Sequence, residues 1–156
     1  MTQGDRGGMT AEDIARELGL SPIPVEGGRF GQTWADEHSS AIVFLVTPED
    51  FSGLHVLPSP EVWFHHDGAP VRMLLLHPGG QVSEPVLGSD LASGQLPQVA
   101  VPPGVCMAAE PLGDWALLGT YMSPPYEEST VVFPSGRELV ERYPAAASRI
   151  ARLARD

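Results

Sequence analysis

From Arg29 to Phe133 the chain is a succession of short β-type runs separated by Gly, Pro, Ser and Asp clusters, and nothing else in it constrains the fold as strongly. The runs read RFGQTW, SSAIVFLV, GLHVL, EVWFHH, PVRMLLL, GQVSEPVL, PQVAV, VCMAA, DWALLGTY and TVVF. Roughly eight to ten strands at this spacing predict an all-β sandwich or barrel. A length of 156 residues suits one domain with a self-sufficient core.

The flanks read differently. Residues 1–9 (MTQGDRGGM) are polar and glycine-rich and are expected to be a disordered lead to a single domain over 10–156. Thr10 and Asp13 form a capping-box-like start, Ala11, Ile14 and Leu18 share a face, and Gly19 ends a short helix. Pro22 and Pro24 then favour extended chain. From Gly136 to Asp156 the pattern is helical, with Leu139, Val140, Tyr143, Ile150 and Leu153 apolar and Pro144 splitting the segment in two.

SSAIVFLV and VRMLLL are apolar at both parities, so each needs cover on both faces. One face belongs to the barrel interior. A second sheet or a subunit is expected on the other, which points to a homodimer.

Charge narrows the function classes. A formal net charge of −11 leaves no basic patch for a phosphate backbone, so nucleic acid is not expected as a partner. All nine basic residues are Arg, and the absence of Lys removes Schiff-base chemistry. The single cysteine, Cys106, has no internal disulfide partner, and the N-terminus lacks the basic-then-apolar pattern of a signal peptide. The apolar runs are too short to span a bilayer, so a soluble cytoplasmic protein with no membrane partner is expected. No nucleotide-binding glycine loop occurs, and no nucleotide cofactor is expected.

The stretch FSGLHVLPSPEVWFHHDGAPVRMLLLHPGG, with VLGSDLASGQLPQVAVPPGVCMAAEPLGDWALLG after it, resembles the cupin superfamily 5 family, formerly a domain of unknown function. VEGGRFGQTW and GRELVERYP extend the resemblance over about residues 10–155. It implies a double-stranded β-helix, or jelly-roll barrel, often dimeric and similar to RmlC-type sugar-nucleotide epimerases. It also implies a small-molecule ligand, and the fold alone does not choose between binder and enzyme.

Cupins commonly hold a metal through two His and one Glu of a first motif and one His of a second. His55 and Glu61 match two of these positions, while Gly53 and Met107 stand where the other two histidines would be. A catalytic metal usually needs about three protein ligands. His65 lies four residues beyond Glu61, about 13 Å along a strand at ~3.3 Å per residue, too far to share an ion. No metal is therefore expected.

His55, Glu61 and His65 remain as candidate catalytic residues. A carboxylate facing a barrel interior beside Trp63 should have a raised pKa, suited to proton transfer. The resemblance brings His55 beside it, with Glu61 orienting the imidazole and His55 moving the proton. A single interior His is more often a hydrogen-bonded core residue, and a buried Glu can equally be bonded to backbone or to an arginine. The resemblance implies Gln32, Trp34, Trp63, Gln98 and Tyr121 as candidate ligand-binding residues, and departures from the family's pattern add Arg29 and Met107; each is equally explicable as packing. With Arg29 near it, the pocket is expected to suit an anionic or carbonyl-bearing apolar ligand. The reading is a metal-independent isomerase, epimerase, cyclase or lyase acting on a small metabolite. A non-catalytic binding or sensor cupin, and a metal-dependent oxygenase or lyase, stand as alternatives.

Overall fold

A computed structural model describes residues 8–156, so residues 1–7 of the expected lead lie outside it. Of that lead, Met9 packs against the first helix's own apolar cluster. Helix α1 (Ala11–Leu18) begins at a capping box in which the Thr10 hydroxyl accepts from the Asp13 amide at 3.1 Å and Asp13 accepts from the Thr10 amide. Gly19 closes it in the left-handed conformation (φ 65).

The strands follow as β1 (Ser21–Pro22), β2 (Arg29–Ala35), β3 (Ser40–Val46), β4 (Ser52–Val56), β5 (Glu61–Gly68) and β6 (Val71–Leu76). After them come β7 (Val82–Ser83), β8 (Val86–Leu87), β9 (Gln98–Val101), β10 (Cys106–Pro111) and β11 (Ala116–Met122). TVVF forms no strand of its own; Val132 makes an isolated bridge to Val56. Two antiparallel sheets result. One has the order β1-β2-β3-β11-β5-β9, and the other β4-β10-β6-β7 with β8 also on β6.

Strand alternation decides what lies between the sheets. Phe44, Trp63 and Leu118 from the larger sheet meet Met73, Leu75 and Met107 from the smaller in one apolar cluster. The opposite face of β4, β10 and β6 carries Leu54, Leu74, Leu76, Cys106 and Ala108. Helices α2 (Gly136–Arg142) and α3 (Ala147–Leu153), joined by a 3-10 turn at Pro144–Ala146, cover this face with Leu139, Tyr143, Ile150 and Leu153. Arg149 and Arg152 of α3 both bond to Glu110 of β10, and Arg149 Nε also donates to Glu84 at 2.9 Å.

This arrangement corrects one expectation. The second apolar face of VRMLLL is covered by α2 and α3, and Leu45 of β3 is covered by Ile14 and Ala15 of α1. Helices of the same chain supply the cover that a second sheet or subunit was expected to give.

Candidate functional site

A cavity of about 290 Å³ opens between the sheets where β4 ends and β5 begins. His55, Glu61, Trp63 and Thr120 line it from the strands. The 23–26 turn and the segment from Tyr126 to Phe133 close its sides.

The 23–28 turn is built to present Glu26. Val25 adopts φ 68, a left-handed conformation that a β-branched residue takes only under local constraint. Gly27 and Gly28 follow at φ 97 and 79, and a Cβ on Gly28 would sit 2.3 Å from the Phe44 ring. The Glu26 carbonyl accepts from the Gly53 amide at 2.8 Å and from Arg155 Nε at 3.1 Å. Its carboxylate accepts from the Ser52 hydroxyl at 2.7 Å and faces His55 Nε2 at 3.9 Å.

His55 is 2% exposed, and its Nδ1 lies 2.8 Å from the Gly53 carbonyl. A carbonyl only accepts, so Nδ1 carries the proton. Nε2 is then the nitrogen available for chemistry. The imidazole is oriented by the Gly53 carbonyl and faced by Glu26, and Glu61 is near enough for the two side chains to interact electrostatically.

Glu61 is 6% exposed, and its Oε1 has no hydrogen-bond partner in the protein. Burial pushes its carboxyl up to about 7. His55 opposes that rise, Glu26 adds to it, and the Thr120 hydroxyl and Trp63 indole draw it down slightly. Trp63 Nε1 is likewise buried; it lies near enough to the Glu61 carboxyl to lower it but closes no normal hydrogen bond. Tyr126 is raised to about 12 by burial and by Glu26, Glu128 and Glu61, so its phenol stays protonated.

Of the expected site residues, His55, Glu61, Trp63 and Gln32 line the cavity. The others lie elsewhere, for reasons of parity and bulges. His65 is at the far end of β5, where its Nε2 bonds to the Ala69 carbonyl at 2.9 Å. Tyr121 is 42% exposed on the outer face, because Thr120 takes the inward position of β11. A bulge between Gln32 and Trp34 leaves Trp34 57% exposed. Gln98 alternates outward from Val99. Arg29 is bonded to Glu12 of α1, away from the cavity, and no arginine lines the cavity among the described residues. The expected basic wall is therefore acidic, made of Glu26, Glu61 and Glu128. Met107 is 1% exposed within the apolar cluster between the sheets.

Glu26, Thr120, Tyr126 and Glu128 were not among the sequence candidates. Glu26 had a readable signal, an acidic residue followed by two glycines in a turn. Its partners Ser52 and His55 are more than 25 residues away and visible only in the fold.

The residues do not fit the usual cupin ion. Among the described residues no group of three or more His, Cys, Asp or Glu side chains is placed to hold a metal. A Cβ on Gly53 would lie 2.3 Å from Arg155 Cγ, so the stem of that arginine fills the place of a first-motif side chain. Cys106 lies on the helix side of β10, and burial pushes its thiol up to about 12, which makes it a small hydrophobe.

A family model described as Cupin superfamily (DUF985) matches residues 12–133. The chain belongs to this cupin family. No curated protein matches it. The cupin is similar to a hypothetical protein from Leishmania major, at 25% identity and a TM-score of 0.86, over 95% of this chain and 100% of that one. It is similar also to a protein of Shewanella oneidensis, at 28% identity and a TM-score of 0.87, over 94% and 98% of the two chains. An oxalate decarboxylase of Lactobacillus farciminis shares the fold at 11% identity and a TM-score of 0.57, over 86% of this cupin and 41% of that chain. No helix of the described residues is long and apolar enough to cross a membrane.

Proposed function

We propose that this cupin is an acid–base enzyme of the isomerase, epimerase, cyclase or lyase type acting on a small metabolite in the cavity. The observation that carries the reading is Glu61, a buried carboxyl at about 7 with an oxygen that makes no hydrogen bond, in the same cavity as a histidine whose Nε2 makes no hydrogen bond and faces Glu26 at 3.9 Å. A group titrating near neutral pH both gives and takes a proton readily.

For a substrate with a carbonyl, His55 Nε2 removes the proton from the adjacent carbon while Glu61 delivers its proton to the carbonyl oxygen. The C–H electron pair becomes the enol double bond, and the carbonyl π pair takes up the new O–H. Reversal at the same or the neighbouring carbon completes an epimerisation or isomerisation. Glu26 stabilises the imidazolium formed in between. The Trp63 N–H offers the substrate oxygen a hydrogen bond that no protein group takes.

Solvent exchange tests this without knowledge of the substrate. In D₂O the protein is expected to add deuterium to at least one carbonyl compound of a metabolite library, read by mass spectrometry, with the signal lost in His55→Ala and Glu61→Gln. Exchange that persists in both variants, or that no compound shows, rejects the proposal.

The dimer belongs to the same reading on a different face. On the outside of the larger sheet, Ala41, Tyr121, Val62 and Ala100 form one cross-strand row, and Val43, Gly119, Phe64 and Gln98 the next. None of these eight residues is charged, in a chain of net charge −11. Two copies approach with least repulsion through such a patch, and a two-fold axis pairs it with itself. Light scattering is expected to give twice the chain mass, and the chain mass for Val62→Glu; a wild-type monomer refutes the dimer.

A further inference from the structure

The charge of the ligand follows from which polar atoms the cavity leaves without partners. Glu26, Glu61 and Glu128 line it, and the chain contains no lysine. The nearest arginines are engaged elsewhere. Arg29 binds Glu12, and Arg155 donates to the Glu26 and Phe51 carbonyls while its guanidinium stacks 4.1 Å from the Phe51 ring centre.

Acidic side chains alone do not make a site, and here two further atoms point to a ligand. Glu61 Oε1 and Trp63 Nε1 are buried and without hydrogen-bond partners, although buried polar atoms are nearly always satisfied. Both side chains line the cavity. Their needs are opposite, since a carboxyl oxygen calls for a donor and an indole N–H for an acceptor, and although the two groups are near each other they do not close a normal hydrogen bond, which leaves both for a ligand. The remaining wall is mixed and mostly apolar, and it includes the rings of Phe30, Phe44, Tyr126 and Phe133.

We propose that the cavity binds a small cationic ligand, with a protonated nitrogen between Glu26 and Glu61, an uncharged oxygen on Trp63 Nε1 and an apolar body against the phenylalanines. This deepens the acid–base reading and rests on the same cavity being the site. A protonated nitrogen supplies the donor that Glu61 Oε1 lacks and a positive charge beside Glu26, whose Oε1 faces the His55 ring at 3.9 Å, and the aromatic faces favour a cation electrostatically. A carboxylate or phosphate in the same place would face three glutamates and find no guanidinium. The carboxylates already make themselves felt, since they contribute to holding the Tyr126 phenol at about 12.

Three probes of one shape and different charge test this on the intact protein: benzylamine, benzyl alcohol and benzoate, with affinity read by NMR titration. Benzylamine is expected to bind at least about 10-fold more tightly than benzyl alcohol, with benzoate weakest. Its advantage is expected to shrink in Glu26→Gln. Benzyl alcohol or benzoate binding as tightly as the amine overturns the proposal, and so does the absence of amine binding at millimolar concentration. Because the titration measures binding and deuterium incorporation measures proton transfer, failure of the charge assignment and failure of the acid–base reading are told apart.

Discussion

The Glu61→Gln variant is expected to lose proton-exchange activity by about 100-fold or more, yet to be more stable than the parent protein at about pH 8, by about 3 kcal/mol. The sign follows from where the proton sits. In the unfolded chain this carboxyl titrates at its ordinary value of 4.5, and in the folded cavity at about 7. Between those values the folded state holds the proton and the unfolded state does not, so each rise in pH favours unfolding. The stability contributed by the neutral carboxyl is complete below about 4.5 and is lost as the pH rises through about 7. That interval, at about 1.4 kcal/mol per pH unit, gives the stated 3 kcal/mol. Glutamine keeps the shape and never ionises. In a chain of this size the gain corresponds to a melting temperature higher by roughly 6–12 °C at about pH 8, shrinking toward zero near pH 4.5. Thermal unfolding at both pH values checks it; a variant equally destabilised at both would show that Glu61 is not held neutral by burial.

That a functional carboxyl should weaken the fold above neutral pH is the expected price of placing an ionisable group in an apolar wall. It also explains what was legible in the sequence. Period-two alternation predicts that Glu61 and Trp63 face inward, because both stand at the start of β5, before any irregularity. The same parity is less use further along. A bulge opposite Leu117 and Leu118 shifts the register where His65 and His66 lie, and the Ala69 carbonyl takes the His65 imidazole. Trp34 is turned out by the bulge after Gln32, which the residue types there do not announce.

The helices show a second limit. Their existence and their apolar faces were readable from period and caps, whereas what they cover was not. VRMLLL called for cover on two sides, and periodicity alone does not distinguish a helix of the same chain from a second subunit. The acidic character of the cavity was hidden for a similar reason. Arg29 lies three residues from Glu26 in sequence, but β2 sends its side chain to α1 while the turn sends Glu26 to His55.

Gly53→Ala is expected to destabilise the fold by about 1–3 kcal/mol, and to do so much less in an Arg155→Ala background. Gly53 lies where the pairing of β4 with β10 shifts register, between Met107 and Ala109, and a side chain there would leave the strand in one direction. That direction runs into Arg155, with Cγ at 2.3 Å and Nε at 2.4 Å from the added carbon. The arginine stem cannot simply swing aside. Its guanidinium holds the Glu26 and Phe51 carbonyls at 3.1 and 2.8 Å and stacks on the Phe51 ring. An alanine at 53 therefore breaks these contacts or strains the strand, and it loosens the turn that carries Glu26 either way. Arg155→Ala alone forfeits the two hydrogen bonds and the stacking, worth about 1–3 kcal/mol together. Once the arginine is gone, the methyl enters space already vacated. The two substitutions should consequently be non-additive by about 1 kcal/mol or more in a urea-denaturation cycle. Strict additivity would mean that Arg155 does not occupy the space beside Gly53. The coupling has a functional side as well: the position at which many cupins place a first metal-binding histidine is here given over to an arginine that fixes the partner of His55.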